Sequence, residues 1–519
     1  MLESLFEPLP LHPSPSDYVN RLLRSNDVPL DSEAVVIRSI VSDGEDRIRA
    51  LDAHVLHLQA TLAQLSQRRD ETVEHLRVHR AILSPVRRVP MELVCTIFEM
   101  ASAQNRVKFG TPPWQLGFIC RSWRQYALSC PLLWSSVTVP HCPGWYQSET
   151  QQLLSKLRTQ LSRATNASLD IYWSWSCNNE PDSRLLDLIF PHSNRWRNVT
   201  FHVNCSNCRL DWLLPISGKL DQLETLEVEN FGATIFPDVF TTARNLRRVV
   251  LTPSQSSSRS NRTAPIYLKS IPIPWGQITH YRGEFPGERQ LEFLQAAPNL
   301  LNCALEISDH SYLISPANTT VILPHLRRLC LNATASRLNV VAPELEELCC
   351  VFHMMWMPHL ITPFIRRASC TLTRLVLWEC RLHTELTDIL RDLPTLSYLL
   401  LANGTPIEKD GVAFFTSMAI SGTDSDVCPH IVSMVYGYEN WYPYTEDAFI
   451  SMAKSRFRTQ HSLRSRLFRL RVFRTGHLYR YEPPDLDTKH RIQMLQDEGL
   501  DAAFLDEQET TDHLSRKYI

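Results

Sequence analysis

A Leu-x-x-Leu-x-Leu spacing recurs through the second half of the chain, and it constrains the fold more than any other feature. Seven copies are clear: Leu223-Leu226-Val228, Leu246-Val249-Leu251, Leu300-Cys303-Leu305, Leu326-Leu329-Leu331, Leu345-Leu348-Cys350, Leu372-Leu375-Leu377 and Leu396-Leu399-Leu401. Two weaker ones, Trp196-Val199-Phe201 and Trp275-Ile278-His280, fill the gaps, and the first residues of the copies stand 19 to 29 residues apart. The second and third apolar residues of a copy alternate, as on one face of a short strand. A unit of this size cannot bury its own apolar face, so neighbouring units must stack. Several copies follow a proline, as in Pro298-Asn299-Leu300 and Pro343-Glu344-Leu345, and proline ends a helix and starts extended chain. Between copies, segments 289–296 and 386–393 have helical spacing. The expected fold over 136–480 is therefore an α/β solenoid, a curved parallel sheet with outer helices, which Ile431-Met434-Tyr436 and Leu467-Leu470-Val472 extend.

Stacking also accommodates 519 residues, of which 44% are hydrophobic and 21% charged, without several separate globules. Proline outnumbers glycine, 33 to 15, a poor match to nucleotide-binding folds built on glycine turns. A net charge of -2 provides no field to draw nucleic acid or an anionic membrane. No apolar run approaches the roughly 18–20 residues of a membrane span. The start, Met1 to Pro8, does not read as a signal peptide. The 14 cysteines, spread from Cys95 to Cys428, then read as reduced thiols of an intracellular protein, cytoplasmic or nuclear.

Prolines 8, 10, 13, 15 and 29 mark residues 1–40 as a flexible leader. From Ile48 the apolar positions alternate at three and four residues through Leu51, Val55, Leu58, Leu62 and Leu65, the seam of a coiled coil over 41–84. Asp43 or Asp46 can cap its start and Pro85 stops it. Two readings stay open: the helix pairs with another helix through 48–83, or it folds onto its own domain.

Next comes a block of specific residues: Val89-Pro90-Met91-Glu92-Leu93, Ile97-Phe98, Leu116, Ile119-Cys120-Arg121-Ser122-Trp123-Arg124, Ala127-Leu128 and Pro131-Leu132-Leu133-Trp134. Three short helices in about 50 residues make a small core and leave apolar side chains over for a partner. The order of these residues over 85–135 resembles an F-box, in the form common in fungal families where a coiled coil precedes it. Val89 departs from the leucine usual there, and the stretch between Phe98 and Cys120 is longer than usual. The resemblance implies docking of a Skp-family adaptor, and through it a cullin. By position it assigns Pro90, Leu93, Ile97, Phe98, Leu116, Cys120, Trp123 and Trp134 to the F-box core or the adaptor contact, without dividing them. A plain three-helix bundle is the alternative.

The copies in the second half resemble the irregular leucine-rich repeats that often follow an F-box. Segments 133–139 and 169–172 read as strands joining the block directly to the array. On the concave face the register places an apolar patch of Val351, Trp378, Tyr398 and Leu400, the candidate target contact because exposed aromatics concentrate binding energy. Alternatively, a C-terminal segment such as Phe414-Phe415 or Trp441-Tyr442 folds over it.

The common phosphate, zinc and acyl-transfer motifs are absent from the sequence, so no enzyme activity, catalytic residue, metal or cofactor is expected. His202, Cys205 and Cys208 make a weak partial zinc set. The basic run Arg456, Arg458, Arg464, Arg466, Arg469, Arg471 and Arg474 alternates with apolar residues, which suits a terminal strand with one solvated face better than a nucleic-acid surface. Residues 481–519 read as a cap helix over 485–498 closed by Gly499, then a loose polar tail. The expected function is that of a non-enzymatic substrate receptor of a cullin-RING ubiquitin ligase; a repeat scaffold without a ligase is the alternative.

Overall fold

The computed structural model describes the chain outside residues 1–16, 26, 104–112, 141–146, 177–181, 206–208, 232–235, 254–271, 286, 308–319, 333–337, 352–357, 369, 381, 404–407, 423–425, 440–441, 459–465, 476–480 and 515–519. It divides into two compact units, 1–93 and 94–519.

In the first unit no proline stands between Pro29 and Pro85, and one helix fills that interval. It is α2 (Asp31–Ile82), preceded by α1 (Asp17–Arg24). Its 52 residues span about 78 Å. Glu33 anchors the first turn: its carboxylate accepts from the Leu30 backbone N–H at 3.0 Å and pairs with Arg21 at 2.9 Å. The expected leader over 1–40 is thus helical from Asp31, because Pro29 sets the break and two acids, Asp31 and Glu33, suit the positive helix end. Asp43 and Asp46 lie inside the helix rather than capping it. No residue of α2 is buried. Pairs one turn apart, such as Arg77 with Glu74 at 2.7 Å, decorate its surface. The boundary between the units falls inside α3 (Met91–Ala103), not at residue 85.

The second unit continues through single 3-10 turns at Gln115–Phe118 and Pro131–Trp134 on either side of α4 (Arg121–Ser129). Strands β1 (Ser136–Val139) and β2 (Leu169–Ser176) follow, separated by α5 (Gln147–Arg163). After α6 (Ser183–Ile189) come β3 (Trp196–Cys205), β4 (Thr225–Phe231), β5 (Arg248–Pro253) and β6 (His280–Glu284). Helix α7 (Gly287–Ala296) leads to β7 (Asn302–Glu306), β8 (Val321–Ile322), β9 (Arg328–Asn332), β10 (Val340–Val341) and β11 (Glu347–Val351). Helices α8 (Pro358–Ala368), α9 (Thr384–Arg391), α10 (Glu408–Met418) and α11 (Pro443–Phe457) then alternate with β12 (Arg374–Cys380), β13 (Tyr398–Asn403), β14 (Ser433–Tyr438) and β15 (Arg469–Thr475). The chain ends in β16 (Tyr481–Glu482), α12 (Leu486–Asp497), β17 (Asp501–Phe504) and α13 (Glu507–Leu514).

Fifteen strands form one open sheet in the order β1 to β7, β9, β11 to β16, with β17 also on β15. Its ladders are parallel except for the β15–β16 pair, and β8 and β10 make a separate parallel pair that no sequence pattern announced. The second unit is therefore a mixed α/β structure around a large, mostly parallel sheet. One face carries the alternating apolar residues: Leu226, Val249, Leu348, Leu375 and Leu399 are wholly buried and meet through the strand register. Helices pack on this face, as the Tyr281 hydroxyl donating to Gln290 of α7 at 3.0 Å and the Phe415 ring of α10 at 5.3 Å from Tyr436 show.

Just before the strands, backbone amides stack from unit to unit: Glu224 donates to Arg197, Arg247 to Glu224, and so on to Phe468 donating to Val432, all at 2.8–3.0 Å. This ladder corrects one repeat. Thr279 takes the place in it that follows the lead residue, and Tyr281 pairs with Val249 and Cys303. The copy is thus Ile278-Tyr281-Gly283, not Trp275-Ile278-His280, and His280 lies on the opposite face. Gly283 is required there because a Cβ would overlap the Tyr281 hydroxyl.

The C-terminal end also differs from expectation. The cap helix matches, with Asp485 accepting from the Thr488 N–H at 2.9 Å and Gly499 at a φ of 97°. The tail after it is not loose: β17 adds to β15, and residues 507–514 are helical.

Candidate partner-binding surfaces

The helical block divides cleanly into core and surface. Phe98 and Trp134 are buried, as are Val94, Ala127 and Leu133 of this small block. The half-buried Trp123 meets Phe98 edge-on, 4.9 Å between centroids, which packs α4 against α3. Arg124 donates to the Gly117 carbonyl at 2.8 Å and fixes the first 3-10 turn on α4. Cys120 is exposed and caps α4, its sulfur accepting from the Trp123 N–H at 3.4 Å. Leu116 is half-buried. Of the assigned positions this leaves Ile97 facing solvent, 54% exposed. Pro90 and Leu93, in the first unit, are also exposed.

Solvent also meets apolar residues of the block outside the eight assigned positions. Met100 lies one turn beyond Ile97 on α3; Phe118 ends the first of these 3-10 turns and Ile119 follows it, at 80% and 61% exposure; Leu128 and Leu132 flank the end of α4. Met100 belongs to the apolar stripe that helical spacing gives α3, whereas Phe118 and Ile119 lie at the end of a 3-10 turn, where no helical period marks them.

The block is fastened to the sheet. Trp134 donates its indole N–H to the Ala127 carbonyl at 2.7 Å, while Arg163 of α5 lies over the same ring at 4.4 Å. Trp114 stands edge-on to Trp134 at 5.0 Å, and Gln160 of α5 donates to the Trp134 carbonyl at 3.3 Å. The strand expected over 133–139 begins only at Ser136, because Pro131 starts a 3-10 turn that runs through Trp134.

The sheet face turned away from the apolar rows changes character along its length. From β2 to β9 it is polar. There His202 pairs with Glu229 at 3.4 Å, Thr200 donates to Glu227 at 3.2 Å and Arg282 reaches Glu306 at 3.5 Å. Partial burial and the neighbouring Glu306 raise the Glu284 carboxyl above its ordinary range. Partial burial, then Arg248 and Arg328, lower the His280 imidazole. The change comes at β11, where the buried Glu347 carboxylate holds Arg374 at 3.2 Å and Arg328 at 3.6 Å.

Beyond it lie Val351, Trp378 and Leu400, on one face as the register predicted but not at the surface. They are 3%, 6% and 0% exposed, in a cluster with Cys349, Val376, Ala402, Val435, Phe473 and Leu505. The patch assigned to target contact is thus a second core. Tyr398 alone is half-buried, beneath the Arg374 guanidinium at 3.9 Å. The sequence reading missed this because Phe473 and Leu505 come from the last strands: Phe473 lies across Gly437, where a Cβ would collide with its ring, and Leu505 follows β17 and donates its N–H to the Val472 carbonyl at 2.9 Å. Phe414 and Phe415 do not cover this face, since Phe415 packs on Tyr436 of the other; Trp441 lies outside the described residues.

No protein-family model matches the sequence, and no curated protein matches it. The geometry alone carries the functional reading.

Several residues with possible chemistry have structural partners. In the basic run, Arg458 pairs with Glu498, Arg469 and Arg471 with Asp501, and Arg474 with Glu482, while Arg464 is outside the described residues. Arg456 is not on a solvated face at all. It is buried and donates to the carbonyls of Met418, Cys428 and Val427 at 2.8, 3.0 and 2.6 Å, and burial lowers its guanidinium to about 10. Burial pushes the Cys428 thiol up to about 12 and the Cys130 thiol to about 11. Among the described residues no group of three or more His, Cys, Asp or Glu could hold a metal ion; Cys208 and the Cys205 side chain fall outside them. Nor is any described helix long and apolar enough to cross a membrane.

Proposed function

We propose that the chain is a substrate-recognition subunit of a cullin-RING ubiquitin ligase of the SCF type. Residues 85–135 act as an F-box that docks a Skp-family adaptor, and the sheet acts as a leucine-rich-repeat-like solenoid that holds a target protein. The observation that carries this reading is the split in the helical block. Its core is closed by Phe98, Trp123 and Trp134, yet Ile97, Met100, Phe118, Ile119, Leu128 and Leu132 stay exposed. So many large apolar side chains on so small a block favour a protein partner.

Strand order that follows the sequence, with amides stacked from unit to unit, supports the repeat reading of the sheet. The target surface moves from the buried patch to the polar face of β2–β9, where Tyr172, His202, Glu229 and Arg282 are half-buried and rigidly based. Fastening of Trp134 by Arg163 and Gln160 fits a receptor that holds its cargo at a fixed angle to the adaptor. The contribution to ubiquitin transfer is proximity, a raised effective concentration of target at the ligase.

Copurification with the adaptor tests the reading. The intact chain is expected to retain it, and Ile97→Glu combined with Phe118→Ser to lose it without a change in melting temperature. An intact chain that fails to bind, or a double variant that binds equally well, overturns the proposal.

A further inference from the structure

Helix α2 poses a separate problem. A helix with no tertiary support is only marginally stable in water, yet this one runs for 52 residues without a buried side chain. Its apolar residues are not scattered. Counted back from the seam seen in the sequence, the same three-four spacing reaches Val41, Ile37 and Ala34, interrupted only by Gly44. From Ala34 to Leu65 this makes more than four heptads, past the length at which such a seam sustains a coiled coil.

We infer that α2 pairs with α2 of a second copy of this chain as a parallel, in-register, two-stranded coiled coil over residues 34–65. The identity of the seam residues selects this occupant. One set of positions holds Ala34, the β-branched Val41, Ile48 and Val55, and Leu62; the other holds Ile37, Gly44, Leu51, Leu58 and Leu65, so β-branched residues lead the first set from 41 to 55 and leucine fills the second from 51 onward. β-branched residues at the first position with leucine at the second pack best in parallel pairs. Those β-branched residues and the three leucines of the second set are exposed in the single chain.

Flanking charges favour the same orientation. In a parallel register each residue just before the first seam position faces the one just after the second, in the next heptad of the other helix. That places Arg47 of one copy against Asp52 of the other, and Glu33 against Arg38, each pair occurring twice. Beyond Leu65 the seam turns polar at Arg69 and Thr72. A charged residue at such a position costs stability and fixes the register, so the pairing ends there.

Sedimentation equilibrium of the full chain is expected to give twice the mass of the chain, and Leu51→Asp with Leu58→Asp to return it to the single mass. Orientation is read from Leu51→Cys and Leu65→Cys, introduced separately, oxidised, and mapped by mass spectrometry of the joined peptides. The two positions lie about 21 Å apart along the helix, so a parallel in-register pair joins like to like at both, whereas an antiparallel pair joins at most one. A single-mass wild type, a higher oligomer, a double variant that stays paired, or joining at only one position each overturns the inference.

Discussion

The Arg163 guanidinium lies 4.4 Å from the centroid of the Trp134 ring, and the two residues belong to different parts of the second unit: Arg163 ends the helix between the first two strands, Trp134 ends the helical block. The same guanidinium reaches Trp114 at 5.1 Å. A cation placed over two indoles joins block and sheet. Arg163→Met keeps the apolar stem and removes the charge. It is expected to cost roughly 1–2 kcal/mol, read as a lower urea midpoint with an unchanged slope, while the block still binds whatever partner it takes.

Trp378 separates a core residue from a surface contact. As an exposed anchor, its truncation would leave the fold untouched. In the observed cluster, Trp378→Ala is expected to destabilise by about 3–5 kcal/mol. Its indole N–H has no hydrogen-bond partner among the described residues, so Trp378→Phe is expected to cost less than about 1.5 kcal/mol. Chemical denaturation of the two variants checks both.

Arg456 closes three carbonyls, those of Met418, Cys428 and Val427, that no other side chain reaches among the described residues. Arg456→Met fills the volume but strands the carbonyls of Met418 and Val427, while that of Cys428 keeps the Ile431 N–H at 3.4 Å. Since an unsatisfied buried acceptor costs about 1–3 kcal/mol, the expected loss is at least about 2 kcal/mol, with faster amide exchange around Val427 and Cys428 in a hydrogen-exchange measurement.

His280 makes the polar face sensitive to acid. Its folded-state pKa lies below the ordinary 6.5 because partial burial, and then Arg248 and Arg328, disfavour the imidazolium. The unfolded chain therefore binds more protons between the two values, and stability falls as pH drops through 6.5 toward the folded value. His280→Asn removes this contribution. Urea midpoints at pH 7.5 and 5.5 are expected to differ less in the variant than in the wild type.

Much of this architecture was legible because it depends on period. The strand positions of Leu226, Leu375 and Leu399 follow from alternation, the end of α2 from Pro85, and the last cap from Asp485 and Gly499. The helical block was legible as a set of residues, but their division was not. Phe98 and Ile97 are adjacent, equally apolar and on one helix; Phe98 turns inward with Val94, one turn before it, and meets the ring of Trp123.

What the sequence determined by itself is therefore local and repetitive: a long helix bounded by two prolines, a series of short strands, and one apolar face for them to share. Tertiary structure decided the opposite face. Val351, Trp378 and Leu400 are set on it by register, but whether it meets solvent depends on Phe473 and Leu505, more than 70 residues downstream of Leu400. Alternation says which side of a strand a residue takes; it carries no information about what later chain returns to cover that side.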